Sequence, residues 1–426
     1  MIKTFKIDTI YNYLFYTLFF LLPMEGVVRA LPNIILAFLG LFFLFRIKKE
    51  NLMNKFKNPV MILYSFLTVY IVFSLVFSDQ ISNNFSYLSK FFLVIGLVIL
   101  SSALKSKEID KVKIFIISGV LCSIMISIFS IIIYSIDQGK FLFSVGKQVN
   151  EVLLTERVYL AFFCVISFIF SLDLLKNKYK KLSGNVFLLI NVFLIIIFIL
   201  LIAARMALIS IVIISLYQSL YIQNKKILLS IVFASTIVLV FAFFFNKNLT
   251  NRFFYKDQNK TFVENMKVWE PRVVIWQCAS DIYKQESFHT LVGLNSFTKT
   301  ESELLECYEN SISNAKKREW FFKQKFNTHN EFFDFLLSFG LIALIFYTLI
   351  FIYALIVARK NVTLVSLIIS FLLLGLVENY FHRQMGVYLF GLFLILITSQ
   401  KEYDLINIYR SSSGRRKNKL LEQQKL

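Results

Sequence analysis

Histidine, cysteine and proline are scarce in this sequence, at 3, 4 and 4 residues of 426. Each shortage narrows the chemistry. The four cysteines, at 122, 164, 278 and 307, lack metal-site spacing, so a thiolate metal centre has no support. Cys278 and Cys307 could pair in an oxidising compartment, but no framework pattern marks them. There is no Asp-x-Asp for a metal-bound nucleotide sugar, no Gly-x4-Gly-Lys-Ser/Thr loop and no His-Glu-x-x-His. Nucleotide and zinc chemistry therefore lack a sequence basis. Charge is thin as well, at 17% of residues, with 26 acidic residues against 46 basic ones. The first apolar run leads into Pro23-Met24-Glu25-Gly26 with no small-x-small cleavage site. It reads as an uncleaved first span rather than a signal peptide.

Apolar surface is abundant. Hydrophobic residues make up 57% of the chain, 49 of them Phe, and the mean hydropathy is +0.68. A soluble protein of this length does not look like this, whereas a polytopic membrane protein does. In a soluble chain the net charge of +20 would suggest nucleic acid. Here the charge lies mostly in short loops between apolar runs, so it reads as topology signal, and no nucleic-acid partner is expected.

Twelve apolar runs are expected to be helices, at roughly 10–23, 31–46, 60–78, 86–104, 114–135, 158–175, 183–203, 206–222, 227–246, 334–357, 362–378 and 386–399. Every second connection is basic: Arg46 to Lys57, Lys105 to Lys113, Lys176 to Lys181, Lys225 with Lys226, Arg359 with Lys360, and the tail with Arg410, Arg415, Arg416, Lys417 and Lys419. These loops and both termini are expected in the cytoplasm. The long segment 247–333 then lies outside. It carries 13 Lys/Arg, 11 Asp/Glu and all three Trp, at 269, 276 and 320, which is too polar to span and too aromatic for disorder. Short helices packed on the membrane face are expected there.

The fold class is thus all-α, a polytopic integral membrane protein with about twelve transmembrane helices and one large extracytoplasmic loop domain. It divides into membrane region 1–246, loop domain 247–333, membrane region 334–400 and a basic cytoplasmic tail 401–426.

The outer side collects the residues that could do chemistry. Thr328 and Glu331 form a T-x-x-E capping box, which predicts a helix start with His329 in its first turn. An imidazole at that water boundary is a candidate general base, or else only a polar cap. Arg205 is the one charged residue in the forty from 183 to 222 and falls at the junction of two spans, in the turn Ala203-Ala204-Arg205-Met206. It is either a snorkelling turn residue or an anion clamp. Pro271 suits a first helical position, so Arg272 belongs to a first turn where an anion is favoured; the alternative is an ion pair with Glu270 or Asp281. Two further groups, Glu378 to Arg383 with His382, and Glu156, Arg157 and Tyr159, either anchor headgroups or line a polar site. Without a nucleotide motif, a transfer at this face needs a donor that brings its own leaving group.

Taken together these residues resemble the O-antigen ligase and polymerase superfamily of bacterial membrane glycosyltransferases. The resemblance rests on Arg205 at its tight turn, the Pro-Arg-x3-Trp segment (Pro271, Arg272, Trp276), and the Gly-x-Asn-Ser-Phe segment Gly293 to Phe297. It ends in Thr-His-Asn-Glu-x2-Asp-x-Leu-x3-Gly-Leu, from Thr328 to Leu341. It covers about residues 200–345 together with the span layout. It implies a bacterial inner-membrane enzyme with segment 247–333 in the periplasm. The donor it implies is an undecaprenyl-pyrophosphate-linked glycan, and the acceptor lipid A–core for a ligase or a carrier-linked glycan for a polymerase. Membrane lipids are the surroundings, and no metal or cofactor is implied. Arg205 and Arg272 would hold the pyrophosphate and His329 would activate the acceptor hydroxyl. Asn330, Glu378, Arg383, Arg157 and Tyr159 are expected to line the substrate site. The rival from another class is a polysaccharide flippase or other transporter, which would show internal repeats, broken helices and mid-membrane charges. A non-catalytic scaffold is a third reading.

Overall fold

The computed structural model describes residues 2–139, 151–177, 182–221 and 270–400. Among them every regular element is a helix. The helices are α1 (Ile2–Leu21), α2 (Leu31–Phe43), α3 (Lys49–Phe56), α4 (Pro59–Phe77), α5 (Ile81–Ser101), α6 (Ser106–Asp137), α7 (Arg157–Asn177), α8 (Leu182–Leu201), α9 (Arg205–Ser219), α10 (Pro271–Tyr283), α11 (Phe297–Ser311), α12 (Ala315–Gln324), α13 (Glu331–Ala358), α14 (Val362–Gly375) and α15 (Gln384–Gln400). Short helical turns at Leu22–Met24, Glu25–Val28 and Tyr380–His382 complete the set.

Eleven of the twelve expected apolar runs fall on helices. The ninth, 227–246, lies outside the described residues, as do Trp269, the stretch 247–269, the loop lysines 178, 180, 181, 225 and 226, and the tail. Five helices, α4, α5, α6, α7 and α13, are long and apolar enough to cross a membrane; α2, α8, α9, α14 and α15 are shorter apolar helices. Their outward faces carry exposed Phe66, Phe73, Phe77, Phe129 and Phe193. Such a surface suits lipid, not water. Inside, polar side chains join neighbouring helices. Asn191 Nδ2 donates to Ser167 and Ser171 at 3.0 and 2.9 Å, and Gln218 donates to Ser366 at 3.1 Å.

Contacts between helix ends sort into two sets. At one face Lys113 and Thr363 both meet Asp173, and Lys55 reaches Ser399. These are ends beside the basic connections. At the other face Asn33 meets Gln384 and Tyr388, Ser78 meets Asn295, and Arg205 and Arg272 share Glu270.

The three helices α10, α11 and α12 form a polar unit with its own small core of Ile275, Cys278, Ile282, Leu304, Tyr308 and Phe321. Ser296 and Asn314 cap α11 and α12 by accepting from the backbone of Lys299 and Lys317. Cys278 and Cys307 are joined in a disulfide that ties α10 to α11. Replacing both with Ser is expected to cost about 2–4 kcal/mol. The replacement should lower the thermal midpoint of the purified protein, while reducing agent shifts the midpoint of the wild type alone.

Leu337 of α13 also enters this core, and α13 is where the structure departs from expectation. The run 334–357 reads as one continuous helix, but at Gly340 the backbone takes φ 71°, ψ −168° and the helix is broken. Segment 290–296 fills the break. The N–H groups of Leu294 and Ser296 donate to the carbonyls of Leu337 and Ser338 at 2.8 and 3.1 Å, and those of Leu341 and Ile342 donate to Thr290 and Leu291 at 2.9 and 3.3 Å. The groups orphaned by the break are therefore satisfied by protein, as a buried break requires. Gly293, at φ 62°, sits against this crossing, so the Gly-x-Asn-Ser-Phe segment and the glycine of Gly-Leu form one joint. Ser74, Ser78 and Asn84 of the α4–α5 region bond to Asn295 and Ser296 and fix the joint to the membrane helices.

Candidate active site

Three helices begin around one cavity. Its lining includes Arg157 and Val158 at the start of α7, Arg205, Met206 and Ala207 at the start of α9, Arg272 at the start of α10, Leu374 in the last turn of α14 and Val377 just after it. The tight turn between α8 and α9 is formed by residues 202–204, with Ala203 in the left-handed region at φ 52°. Pro271 occupies the first position of α10, which places Arg272 one residue inside. A helix start, with its unpaired N–H groups, favours a nearby anion by about 0.3–1 kcal/mol. Hydrogen bonds from guanidinium to an anion contribute more, about 1.5–3 kcal/mol. The arginines therefore dominate, and the dipoles add to them.

Glu270 bridges two of these arginines. Its Oε2 accepts from Arg205 Nη2 at 3.0 Å and its Oε1 from Arg272 Nη1 at 2.9 Å. Burial alone would raise this carboxyl, but the two guanidinium groups outweigh burial and hold it below the ordinary glutamate value. Arg272 has a second hold: Nε and Nη2 donate to the Val377 carbonyl at 3.2 and 3.1 Å.

The residue after Val377 is Glu378, and its Oε2 lies 3.3 Å from His329 Nδ1. Burial would raise Glu378 too; the hydrogen bond with His329 and the charges of Arg272 and Arg383 bring it below the usual range. His329 does not sit in a first helical turn. The T-x-x-E capping box is not formed: the N-cap is Asn330, whose Oδ1 accepts from Phe332 and Phe333 at 2.9 and 3.1 Å, and α13 begins at Glu331. His329 precedes the cap with φ 43°, a left-handed conformation that His tolerates better than most residues. Its Nε2 makes no hydrogen bond among the described residues. Asn330 was expected to line the substrate site. It is 8% exposed, its Oδ1 caps α13 and its Nδ2 donates to the Leu376 carbonyl at 3.3 Å.

Helix α10 holds both loops that meet at His329. Arg272 and Trp276 are one turn apart on one face. Arg272 grips Val377, and Trp276 Nε1 donates to the Thr328 carbonyl at 3.1 Å. Asn379 completes the junction: its Nδ2 donates to Thr328 Oγ1 at 2.9 Å and its Oδ1 accepts from the Asn330 N–H at 3.1 Å. Asp334, one turn into α13, lies 2.7 Å from His382 Nε2.

Of the expected site residues, Arg205, Arg272 and Arg157 meet at the cavity, and Glu378 and His329 pair beside it. Tyr159 does not join them; its ring is buried and its hydroxyl points at the Asn379 carbonyl, 3.5 Å away. Arg383 is 60% exposed and pairs with Glu156 at 3.2 Å. Sequence reading missed the double role of Glu270 and the Val377 carbonyl, and took in Asn379 only as a member of the group Glu378 to Arg383. Glu270 had been visible only as one possible partner of Arg272.

Compared with known families, residues 190–348 match the family model described as O-antigen ligase. The matched segment includes Arg205, Arg272, Trp276, His329 and Gly340, whereas Arg157, Val377 and Glu378 lie outside it. No curated protein matches the chain.

Proposed function

We propose that this chain, whose segment 190–348 matches the O-antigen ligase family model, transfers a glycan from a lipid pyrophosphate carrier to an acceptor hydroxyl at the outer face of the membrane. The observation that carries the reading is the convergence of three arginines, each at a helix start, on one cavity that lies a single residue from the His329–Glu378 pair. The arginines take the pyrophosphate, with guanidinium forks matched to phosphate oxygens. Glu378 accepts the Nδ1 proton of His329 in a hydrogen bond and leaves Nε2 to face the acceptor. The acceptor oxygen attacks the anomeric carbon as its proton passes to Nε2. The bond from that carbon to the phosphate oxygen breaks, and the pyrophosphate leaves with the electron pair onto the arginines. Stabilising that leaving charge is the main electrostatic task. The Cys278–Cys307 disulfide supports an oxidising compartment for this face, which suits a periplasmic site in the bacterial inner membrane.

The family description puts the ligase reading first, with lipid A–core as acceptor and undecaprenyl pyrophosphate as carrier; a repeat-unit polymerase is the alternative. The test is a strain lacking the gene, complemented with wild type, Arg205→Ala or Arg272→Ala. Each variant is expected to lose about 10²–10³-fold of the transfer rate, read as surface glycan at equal membrane content of protein. Long polymer left on the carrier identifies a ligase and single repeats identify a polymerase. Full rescue by both variants overturns the clamp.

A further inference from the structure

We infer that Glu270 is a built-in counter-ion that holds the anion site of the resting protein and must be displaced by the pyrophosphate of the donor. The inference rests on the arginine cavity being the donor site. One carboxylate spans two guanidinium groups, one oxygen on each, at 3.0 and 2.9 Å. That is the arrangement two neighbouring phosphate oxygens would take on the same forks.

Three features separate a placeholder from a mere structural ion pair. Glu270 stands at the N-cap of α10 yet makes no capping bond. Its carboxylate has no partner among the described residues other than the two arginines. Second, Arg272 does not depend on it. The bifurcated bond to Val377 keeps that guanidinium in place when the carboxylate leaves. Third, the side chains of Glu270, Arg205 and Arg272 are 22%, 25% and 25% exposed, so the bridge is open to exchange with an entering anion. Pro271 holds the Glu270 backbone extended, at φ −110°, ψ 103°. The carboxylate can therefore swing out by side-chain rotation without moving α10. The consequence is a threshold: weakly bound single anions compete poorly with a tethered carboxylate, and a ligand reaching both forks at once does not.

The experiment titrates inorganic pyrophosphate into the purified full-length protein in nanodiscs by calorimetry. It compares wild type, Glu270→Gln, Glu270→Ala, Arg272→Ala and the Glu270→Gln/Arg272→Ala pair, each checked for a cooperative thermal transition. Emptying a site that its own carboxylate fills most of the time tightens apparent binding by about tenfold. Both Glu270 variants are expected to show that gain, and adding Arg272→Ala should remove it. If the Glu270 variants bind pyrophosphate no tighter than wild type while Arg272→Ala weakens it, the placeholder is wrong and the clamp stands. If no protein binds pyrophosphate, or Arg272→Ala changes nothing, the donor site itself is wrong and the placeholder falls with it.

Discussion

Replacing His329 with Asn is expected to reduce glycan transfer by about 10²–10⁴-fold, the range spanned by a positioned general base, while leaving the amount of inserted protein unchanged. Asn is the informative substitution. The residue sits at φ 43°, where Asn, like His, is at ease and Ala is not, so the variant removes the imidazole without straining the chain. Although the His329 side chain is mostly buried, its one ring neighbour among the described residues is Phe326, at 5.5 Å between centroids. A variant that folds and binds donor yet does not transfer locates the defect in the proton step. Glu378→Gln should also lower the rate steeply, since it removes the charge that steadies the protonated ring and its amide N–H can donate to Nδ1, which puts the proton on Nε2. Full activity in Glu378→Gln would contradict the pairing of Glu378 with the base.

Gly340→Ala has the opposite signature. Its backbone, at φ 71°, ψ −168°, lies in a region that only glycine occupies readily. A Cβ there would stand 2.3 Å from the Leu291 backbone. Relieving that clash means opening the joint in which four backbone hydrogen bonds carry segment 290–296 through the break in α13. Each buried backbone group left unpaired costs about 1–3 kcal/mol, so the total exceeds about 4 kcal/mol, enough to unfold a marginally stable protein. The variant is expected to disappear from the membrane fraction and to lose its monodisperse peak in detergent. Leu341→Ala, one residue on and partly exposed, should leave both intact. A stable Gly340→Ala protein would contradict the joint.

The contrast between these two positions shows what could be read from the sequence. Span positions were legible because length and hydropathy belong to the chain alone, and Pro271 marked the start of α10 through the geometry of proline itself. The turn at Arg205 was legible because one charge interrupts forty otherwise uncharged residues. Gly340 was not, because a single glycine in an apolar run is ordinarily tolerated, and only the arrival of segment 290–296 makes a break affordable. The broken helix therefore gives no weight to a transporter: its orphaned groups close on protein rather than on an ion path. The pairing of His329 with Glu378, 49 residues away, and of Arg205 with Glu270, 65 away, depends on tertiary contact that no local pattern encodes. That Asn330 caps α13 was not legible for a different reason. Asn is a strong N-cap, but the T-x-x-E pattern beginning two residues earlier suggested another start.

The central claim is that this face of the protein performs transfer, and reconstitution tests it most directly. Purified protein in proteoliposomes would be given an undecaprenyl-pyrophosphate-linked glycan and a lipid-linked acceptor, with acceptor glycosylation and released carrier pyrophosphate measured together. The account predicts one carrier released per acceptor glycosylated by wild type, and neither product with His329→Asn or Arg272→Ala. Movement of the intact donor across the bilayer without acceptor product, or equal transfer by wild type and both variants, would contradict it.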